Sequence, residues 1–205
     1  MKCLLARAFD EKQFLSPYGI RSVSQEHRAH PFEMDFAGQH LRVDYEPGES
    51  NTGLFGGNSN WRGPVWFPIN FLLLESMHRF HHYYGDDFKI EAPTGSGREG
   101  SILEAADLLR NRLTSLFMVD ANGDRPVFGS NTLLNTDEHF KDRIPFHEYF
   151  DGETGRGCGA CRRSTAAPSV TPYRYQLRKR LRNVGARDGG RAATRRGLTR
   201  SKAKR

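Results

Sequence analysis

The segment FHEYFDGETGRG, residues 146–157, contains the side chains of this sequence that are best suited to proton transfer. One histidine and three carboxylates lie within seven residues, next to phenylalanine and tyrosine rings: His147, Glu148, Asp151 and Glu153. Carboxylates beside aromatic rings have pKa values that partial desolvation can tune, which suits general acid–base catalysis. A solvated acidic turn has the same composition and is common on protein surfaces, so the residue types alone leave both interpretations open.

Both tryptophans lie in a second segment, NSNWRGPVWFPIN at residues 58–70. Indole rings stack on the flat C–H faces of sugars, while asparagine and arginine donate hydrogen bonds to hydroxyl groups. Asn60, Trp61, Arg62 and Trp66 therefore form one candidate saccharide-binding wall. A tryptophan before a proline-initiated helix is equally often a core anchor, and the residue types do not decide between the two.

Two patterns with metal-ligand spacing carry less information. Cys158 and Cys161 form a single C-x-x-C without the second pair of a structural zinc site. His78, His81 and His82 share one helical face, but no acid or cysteine is fixed nearby, so partly exposed helix histidines are the commoner explanation. We expect no metal and no cofactor.

The elements that must position these residues are predicted to be helices joined by long polar loops. Pro68 opens an amphipathic helix that Gly85 closes. A second helix is predicted over residues 101–117, where Ser101 and Glu104 form a capping box. Its apolar stripe comprises Ile102, Ala106, Leu109, Leu113 and Leu116. A further helix over residues 2–14 and one strand-like patch at residues 40–45 complete an all-α expectation.

The charges divide the chain into two regions. Residues 158–205 hold 15 of the 31 Lys and Arg but one of the 24 acids, which gives this tail +14 and residues 1–157 a net charge of −7. The tail has few apolar residues and is expected to be disordered. The alternative is a catalytically inactive truncated protein whose basic tail binds nucleic acid non-specifically through phosphate contacts. We expect no specific nucleic-acid partner. No apolar run is long enough to cross a bilayer and no signal peptide is recognisable, so we expect no membrane and a cytoplasmic location.

Five motifs in unbroken order, from about Phe14 to Ala160, resemble glycoside hydrolase family 63 and its glucosidase and mannosylglycerate-hydrolase-like relatives. These motifs are FLSPYGIRSVS, YEPGESNTGLFGGNSNWRGPVWFPINFLLLE, YYGDDFKIEAPTGSG, RPVFG and FHEYFDGETGRG. The resemblance implies part of a barrel of six α-helical hairpins. It also implies an inverting α-glycosidase with two carboxylates, no cofactor and a carbohydrate substrate.

The resemblance also assigns residues. It makes Glu148, in the late aromatic-x-Glu-x-aromatic motif, the general base that activates water. Trp61 and Trp66 correspond to sugar-subsite residues. The further residues that it places along the site are Tyr18, Arg21, Asn60 and Arg62.

The sequence departs from the family pattern at both ends. Relatives carry the catalytic aspartate upstream of the stretch that matches Phe14, so we expect the general acid to be absent and the isolated chain to turn over little substrate. After Ala160 the chain leaves the pattern and becomes rich in Arg, Ala, Gly and Thr. We therefore expect residues 1–157 to be the carboxyl-terminal portion of the hydrolase domain and residues 158–205 to be a basic tail, with 161–205 derived from a frameshift or a retained intron.

Overall fold

The computed structural model describes residues 1–53 and 60–162, with side chains through residue 159. Predictions that fall on residues 54–59 and 163–205, among them most of the basic tail, lie outside these described residues. Two long helices contact each other, α2 (Phe67–Tyr84) and α3 (Ile102–Ser115). Two short helices are α1 (Lys2–Ala8) and α4 (Thr132–Thr136), and two 3₁₀ turns cover Gln25–Arg28 and Pro126–Phe128.

Nine short strands form four antiparallel sheets within the described residues. Three sheets are local two-stranded hairpins: β1 (Leu15–Ser16) with β2 (Gly19–Ile20), β3 (Phe32–Phe36) with β4 (Gln39–Val43), and β6 (Lys89–Glu91) with β7 (Glu99–Ser101). The fourth sheet has the order β5-β8-β9 and contains β5 (Val65–Trp66), β8 (Phe146–Phe150) and β9 (Gly157–Arg162).

The expected all-α fold is wrong, because the molecule is a mixed α/β structure with several small antiparallel sheets. The physical reason is that the central sheet pairs residues far apart in the sequence, Val65 with Phe150 and Trp66 with Tyr149. A two-residue strand leaves no periodic pattern to detect. The six-hairpin barrel is not seen either, since the described residues contain one pair of long helices.

The two long helices follow their sequence signals. Gly85 ends α2 with its N–H donating to the carbonyl of His81 at 2.8 Å. Ser101 and Glu104 make both bonds of the capping box at the start of α3. All five residues of the predicted apolar stripe are buried: Ile102, Ala106, Leu109, Leu113 and Leu116. Both helix predictions are confirmed to within two residues at each end.

The predicted helix over residues 2–14 is wrong beyond Ala8. Asp10 redirects the chain because its carboxylate accepts hydrogen bonds from the Lys12 N–H at 2.8 Å and the Gln13 side chain at 2.9 Å. Such short side-chain-to-backbone bonds compete with the helical pattern. The strand-like patch at residues 40–45 corresponds to β4, which pairs with β3.

Hydrogen bonds from Asn70 hold the amino-terminal end of helix α2 against strand β2. Asn70, buried in the first turns, accepts from the Ile20 N–H at 2.7 Å and donates to the Ile20 and Trp66 carbonyls. Leu72, Phe80 and Tyr83 on the same helix are exposed. No helix in the described part of the chain combines the length and apolarity that a membrane crossing requires.

Candidate active site

The central sheet carries the tryptophans and the candidate base on adjacent strands. Strand β5 runs directly into α2, and its register places Trp66 opposite Tyr149 of β8. Residues paired across antiparallel strands project on the same face, so Trp66 and Tyr149 lie side by side. Glu148 directly precedes Tyr149 on β8, at the level where the β8–β9 register shifts.

Trp61, Trp66 and Tyr149 form one aromatic stack. The centroids of the two indoles are 3.9 Å apart and their planes differ by 7°. Trp66 in turn stacks on Tyr149 at 4.6 Å. Trp66 is 7% exposed and its Nε1 donates to the Asn60 carbonyl at 2.8 Å, whereas Trp61 is 42% exposed. The outer indole is thus held flat by a buried indole and offers a rigid apolar face to solvent.

Glu148 is exposed, and its side chain makes no hydrogen bond or ion pair with any described residue. Its neighbour His147 is half-buried, and burial is the main reason that the pKa of His147 lies below its ordinary value. His147 therefore stays neutral at physiological pH. Its Nδ1 lies 3.2 Å from the Cys158 carbonyl, which can only accept, so Nδ1 carries the proton. No described residue occupies the carboxylate at position 148, so this carboxylate can bind a water molecule.

Strand β9 has a bulge at the level of Glu148. The β8–β9 register shifts between His147 and Tyr149, where the single residue Glu148 of β8 faces two residues of β9, Gly159 and Ala160. Gly159 lies within this irregularity with a φ of 66°, a left-handed conformation that other residues adopt at a cost. A Cβ on Gly159 would also collide with the Tyr149 ring. The bulge and the aromatic stack therefore touch each other beside Glu148.

Arg62 and Asn60 lie behind the aromatic stack and hold the segment of residues 44–52. Arg62 is 3% exposed and forms ion pairs with Asp44, at 3.3 Å, and with Glu46. It also donates to Ser50 Oγ at 3.2 Å and Thr52 Oγ1 at 3.0 Å. Asn60 donates to the carbonyls of Glu46 and Gly48 at 2.8 and 2.7 Å. In this structure both predicted site residues bind protein atoms.

Arg21 and Tyr18 surround the turn that follows β8. Arg21 is buried, donates to Tyr45 Oη at 3.0 Å and to the Leu15 carbonyl at 2.7 Å, and lies 3.5 Å from Glu153. Tyr45 donates to Glu153 at 2.6 Å, and burial with this bond raises the pKa of Tyr45. Tyr18 packs against Gly155 of the same turn, and burial followed by the charges of Asp120 and Asp151 raises its pKa. Among the predicted residues, the structure brings Trp61 and Trp66 into contact, and Arg21 and Tyr18 to the turn after Glu148.

Sequence reasoning missed Tyr149 and Glu49. Tyr149 is almost completely buried, and its hydroxyl donates to Glu49 at 2.8 Å. Burial, together with this hydrogen bond, raises the pKa of Tyr149, so the hydroxyl remains a donor. The sequence contained a signal for Tyr149, which directly follows Glu148 in the FHEYF segment. It contained no signal for Glu49, because the contact between Glu49 and Tyr149 spans 100 residues of sequence.

No cluster of metal-ligating side chains forms among residues 1–53 and 60–159, and the side chain of Cys161, the second cysteine of the C-x-x-C pattern, lies outside these described residues. His78 Nδ1 lies 2.7 Å from the carbonyl of Leu74, one turn earlier on α2. Cys158 is buried beneath Trp66 and Tyr149, and burial raises the pKa of its thiol to about 11.

Comparison with known proteins places the chain in a family. Residues 1–167 match the Mannosylglycerate hydrolase MGH1-like glycoside hydrolase domain. The chain is 52% identical over 162 residues to the uncharacterized protein YMR196W of Saccharomyces cerevisiae, an alignment that covers 78% of this chain and 15% of that protein. The chain thus spans a small part of the length of that relative. Because the family match covers most of the sequence, the chain belongs to the MGH1-like glycoside hydrolase family.

Proposed function

We propose that this chain supplies the general base and the sugar platform of an inverting α-glycosidase, of the kind found in glycoside hydrolase family 63. Glu148 is the base, and Trp61 together with Trp66 forms the platform. The observation that supports the proposal is the combination, around strands β5 and β8, of an exposed carboxylate that has no partner among the described residues and a stack of one buried and one exposed indole.

In the proposed reaction, Glu148 accepts a proton from water while the water oxygen attacks the anomeric carbon. The bond from that carbon to the leaving oxygen breaks, and a carboxylic acid about 6.5–9.5 Å from the base protonates the leaving oxygen. A carboxylate that already accepts two or three hydrogen bonds would be a poorer base, because those bonds stabilise its charged form. Glu148 has no such bonds to described residues, which suits this role.

The platform orients the sugar. The C–H face of a pyranose ring is apolar and flat, so it stacks on the exposed indole of Trp61. Trp66 and Tyr149 keep that indole from rotating, which lowers the entropy lost on binding. The proposed substrates are α-glucosides and related α-glycosides, and the family description adds mannosylglycerate to the compounds that should be tested.

The decisive experiment uses α-D-glucosyl fluoride as substrate. Fluoride leaves without protonation, so hydrolysis of this compound depends on the base and not on a general acid. We expect the 205-residue chain to hydrolyse it, with Glu148→Gln reducing the rate by about 100-fold or more. Inversion predicts that proton NMR detects β-glucose as the first product.

Glu138→Gln is the matched control, since Glu138 is also exposed and lies outside the central sheet. Equal rates in the wild type, Glu148→Gln and Glu138→Gln would refute the assignment of the base. Initial release of α-glucose would refute the inverting mechanism while leaving the role of Glu148 intact.

A further inference from the structure

Glu49 connects the aromatic stack to the bulge beside the proposed base. One carboxylate oxygen accepts from the Tyr149 hydroxyl at 2.8 Å, and the other accepts from the Gly159 N–H at 2.7 Å. Tyr149 belongs to β8 and Gly159 to the bulge of β9. A single side chain from outside the sheet therefore bridges both strands at the level of Glu148.

The two bonds act on parts of the site that would otherwise move independently. The Tyr149 ring supports Trp66, whose indole supports Trp61. The Gly159 N–H lies in the stretch where the regular β8–β9 pairing is interrupted, so it needs an acceptor from elsewhere. Glu49 supplies that acceptor, and its other oxygen fixes the ring that lies directly against Gly159.

Glu49 is itself held in place by the protein. It lies in the segment of residues 44–52, which the buried Arg62 and Asn60 grip through Asp44, Glu46 and Gly48. These contacts explain why Asn60 and Arg62 are buried although both are polar. Together with the two hydrogen bonds of Glu49, they connect Arg62 through residues 44–52 to Tyr149 and Gly159.

We propose that Glu49 is a positioning residue, which locks the Trp61–Trp66–Tyr149 stack to the β9 bulge so that the sugar platform and Glu148 keep a fixed relation. This inference rests on the proposed function for its catalytic consequence. Its structural content, the immobilised stack, stands independently of any activity. Glu49 acts through Tyr149 and Gly159 and is not proposed to touch the substrate.

The spectroscopic test exploits the fact that the chain contains two tryptophans, both in the stack. Stacked and immobilised indoles give strong near-ultraviolet circular dichroism. We expect Glu49→Ala to lose at least about half of that signal at a temperature where the far-ultraviolet spectrum is unchanged, because the stack loses its anchor. Tyr149→Phe removes one of the two bonds and keeps the ring, so it should give a smaller loss. Glu138→Ala, an exposed acid outside the sheet, is the control and should give none.

The catalytic test measures hydrolysis of α-D-glucosyl fluoride. We expect Glu49→Ala to lower kcat by about tenfold or more, since small displacements of a catalytic group cost large factors in rate. Glu49→Gln keeps the length of the side chain but can accept only one of the two bonds, so it should recover part of the loss. A role confined to stability would lower the melting temperature and leave kcat and the dichroism unchanged, and that result would overturn the proposal.

The two proposals can fail separately. If the wild-type chain shows no Glu148-dependent hydrolysis, the proposed function fails, and the dichroism of Glu49→Ala still decides whether Glu49 locks the stack. If Glu148→Gln abolishes hydrolysis and Glu49→Ala matches the wild type in kcat and dichroism, the proposed function stands and the positioning role of Glu49 is wrong.

Discussion

Trp61 lies parallel to Trp66, with ring centroids 3.9 Å apart and planes inclined by 7°, although four residues separate them in the sequence. The two rings differ sharply in burial, at 42% and 7% exposed. The Arg62-Gly63-Pro64 turn between them is buried and returns the chain so that the outer indole covers the inner one. One tryptophan is therefore part of the core and the other is a surface that the core supports.

This difference in burial predicts that Trp66→Ala mainly reduces stability and that Trp61→Ala mainly reduces sugar binding. Trp66→Ala removes a ring that is buried between Trp61 and Tyr149, and should reduce the free energy of unfolding by about 3–5 kcal/mol. Trp61→Ala removes one stacked face and should cost no more than about 1.5 kcal/mol. The same Trp61→Ala should weaken sugar binding about tenfold or more, a change of about 1.4 kcal/mol.

Urea unfolding measures the two changes in the free energy of unfolding. A saccharide titration followed by tryptophan fluorescence measures the sugar affinity of Trp61→Ala. Trp61→Phe is the matched variant, since it keeps an aromatic face and should retain part of the affinity. If Trp61→Ala binds sugar as tightly as the wild type, Trp61 is not part of the sugar platform.

The sequence was informative wherever the structure depends on local patterns. The capping box at Ser101 and the glycine stop at Gly85 set the helix ends, because these signals act within one turn of the chain. The central sheet was invisible for the opposite reason. Its pairs, such as Val65 with Phe150, join residues far apart in sequence, and the strand that carries the tryptophans is two residues long.

The candidate site divides in the same way. The tryptophan pair and the position of Glu148 on an aromatic-flanked segment could be predicted from residue types and motif resemblance. The contacts of Arg62 could not, because the sequence of an arginine next to two candidate sugar-binding tryptophans is the same whether its guanidinium points toward solvent or into the protein. Its burial against Asp44 and Glu46 depends on how a separate segment folds over it.

Arg62 should therefore behave as a structural residue when it is replaced. Arg62→Ala leaves the carboxylates of Asp44 and Glu46 without their buried partner and should destabilise the chain by about 3–5 kcal/mol. Arg42→Ala is the control, because the Arg42 side chain is 52% exposed and its ion pairs with Glu33 and Asp44 should each contribute about 1 kcal/mol or less.

The comparison requires the urea midpoints of both variants and the wild type. Arg62→Lys should restore little, since one ammonium cannot reproduce the planar fork that reaches Asp44, Glu46, Ser50 and Thr52. Equal midpoints for Arg62→Ala and Arg42→Ala would contradict the network described here.

His147 predicts a pH dependence of stability. Burial lowers the pKa of His147 in the folded state, so as the pH falls the unfolded chain binds this proton first. The contribution to stability is thus complete above the unfolded value near 6.5 and is lost as the pH falls through the folded value. His147→Gln should therefore reduce the loss of stability between about pH 7.5 and pH 5.

The measurement is the urea midpoint at several pH values across that range. His30→Gln serves as the control, since His30 is exposed and lies outside the sheet. A pH profile of His147→Gln that is as steep as that of the wild type would show that the imidazole is not desolvated in the folded state.

The thiol of Cys158 reports directly on whether β9 closes over the aromatic stack. Cys158 packs against Trp66 and Tyr149, and burial raises its pKa to about 11. Fewer than about one in a thousand such thiols is ionised near neutral pH, and only the thiolate reacts readily with iodoacetamide. Cys3, which is exposed, should be alkylated in the native protein while Cys158 is not.

Peptide mass spectrometry distinguishes the two positions, and unfolding in urea should make them equally reactive. Equal alkylation rates of Cys3 and Cys158 under native conditions would mean that β9 separates readily from β8. In that case His147 would lose its hydrogen bond to the Cys158 carbonyl, and the strand that carries Glu148 would lose its partner.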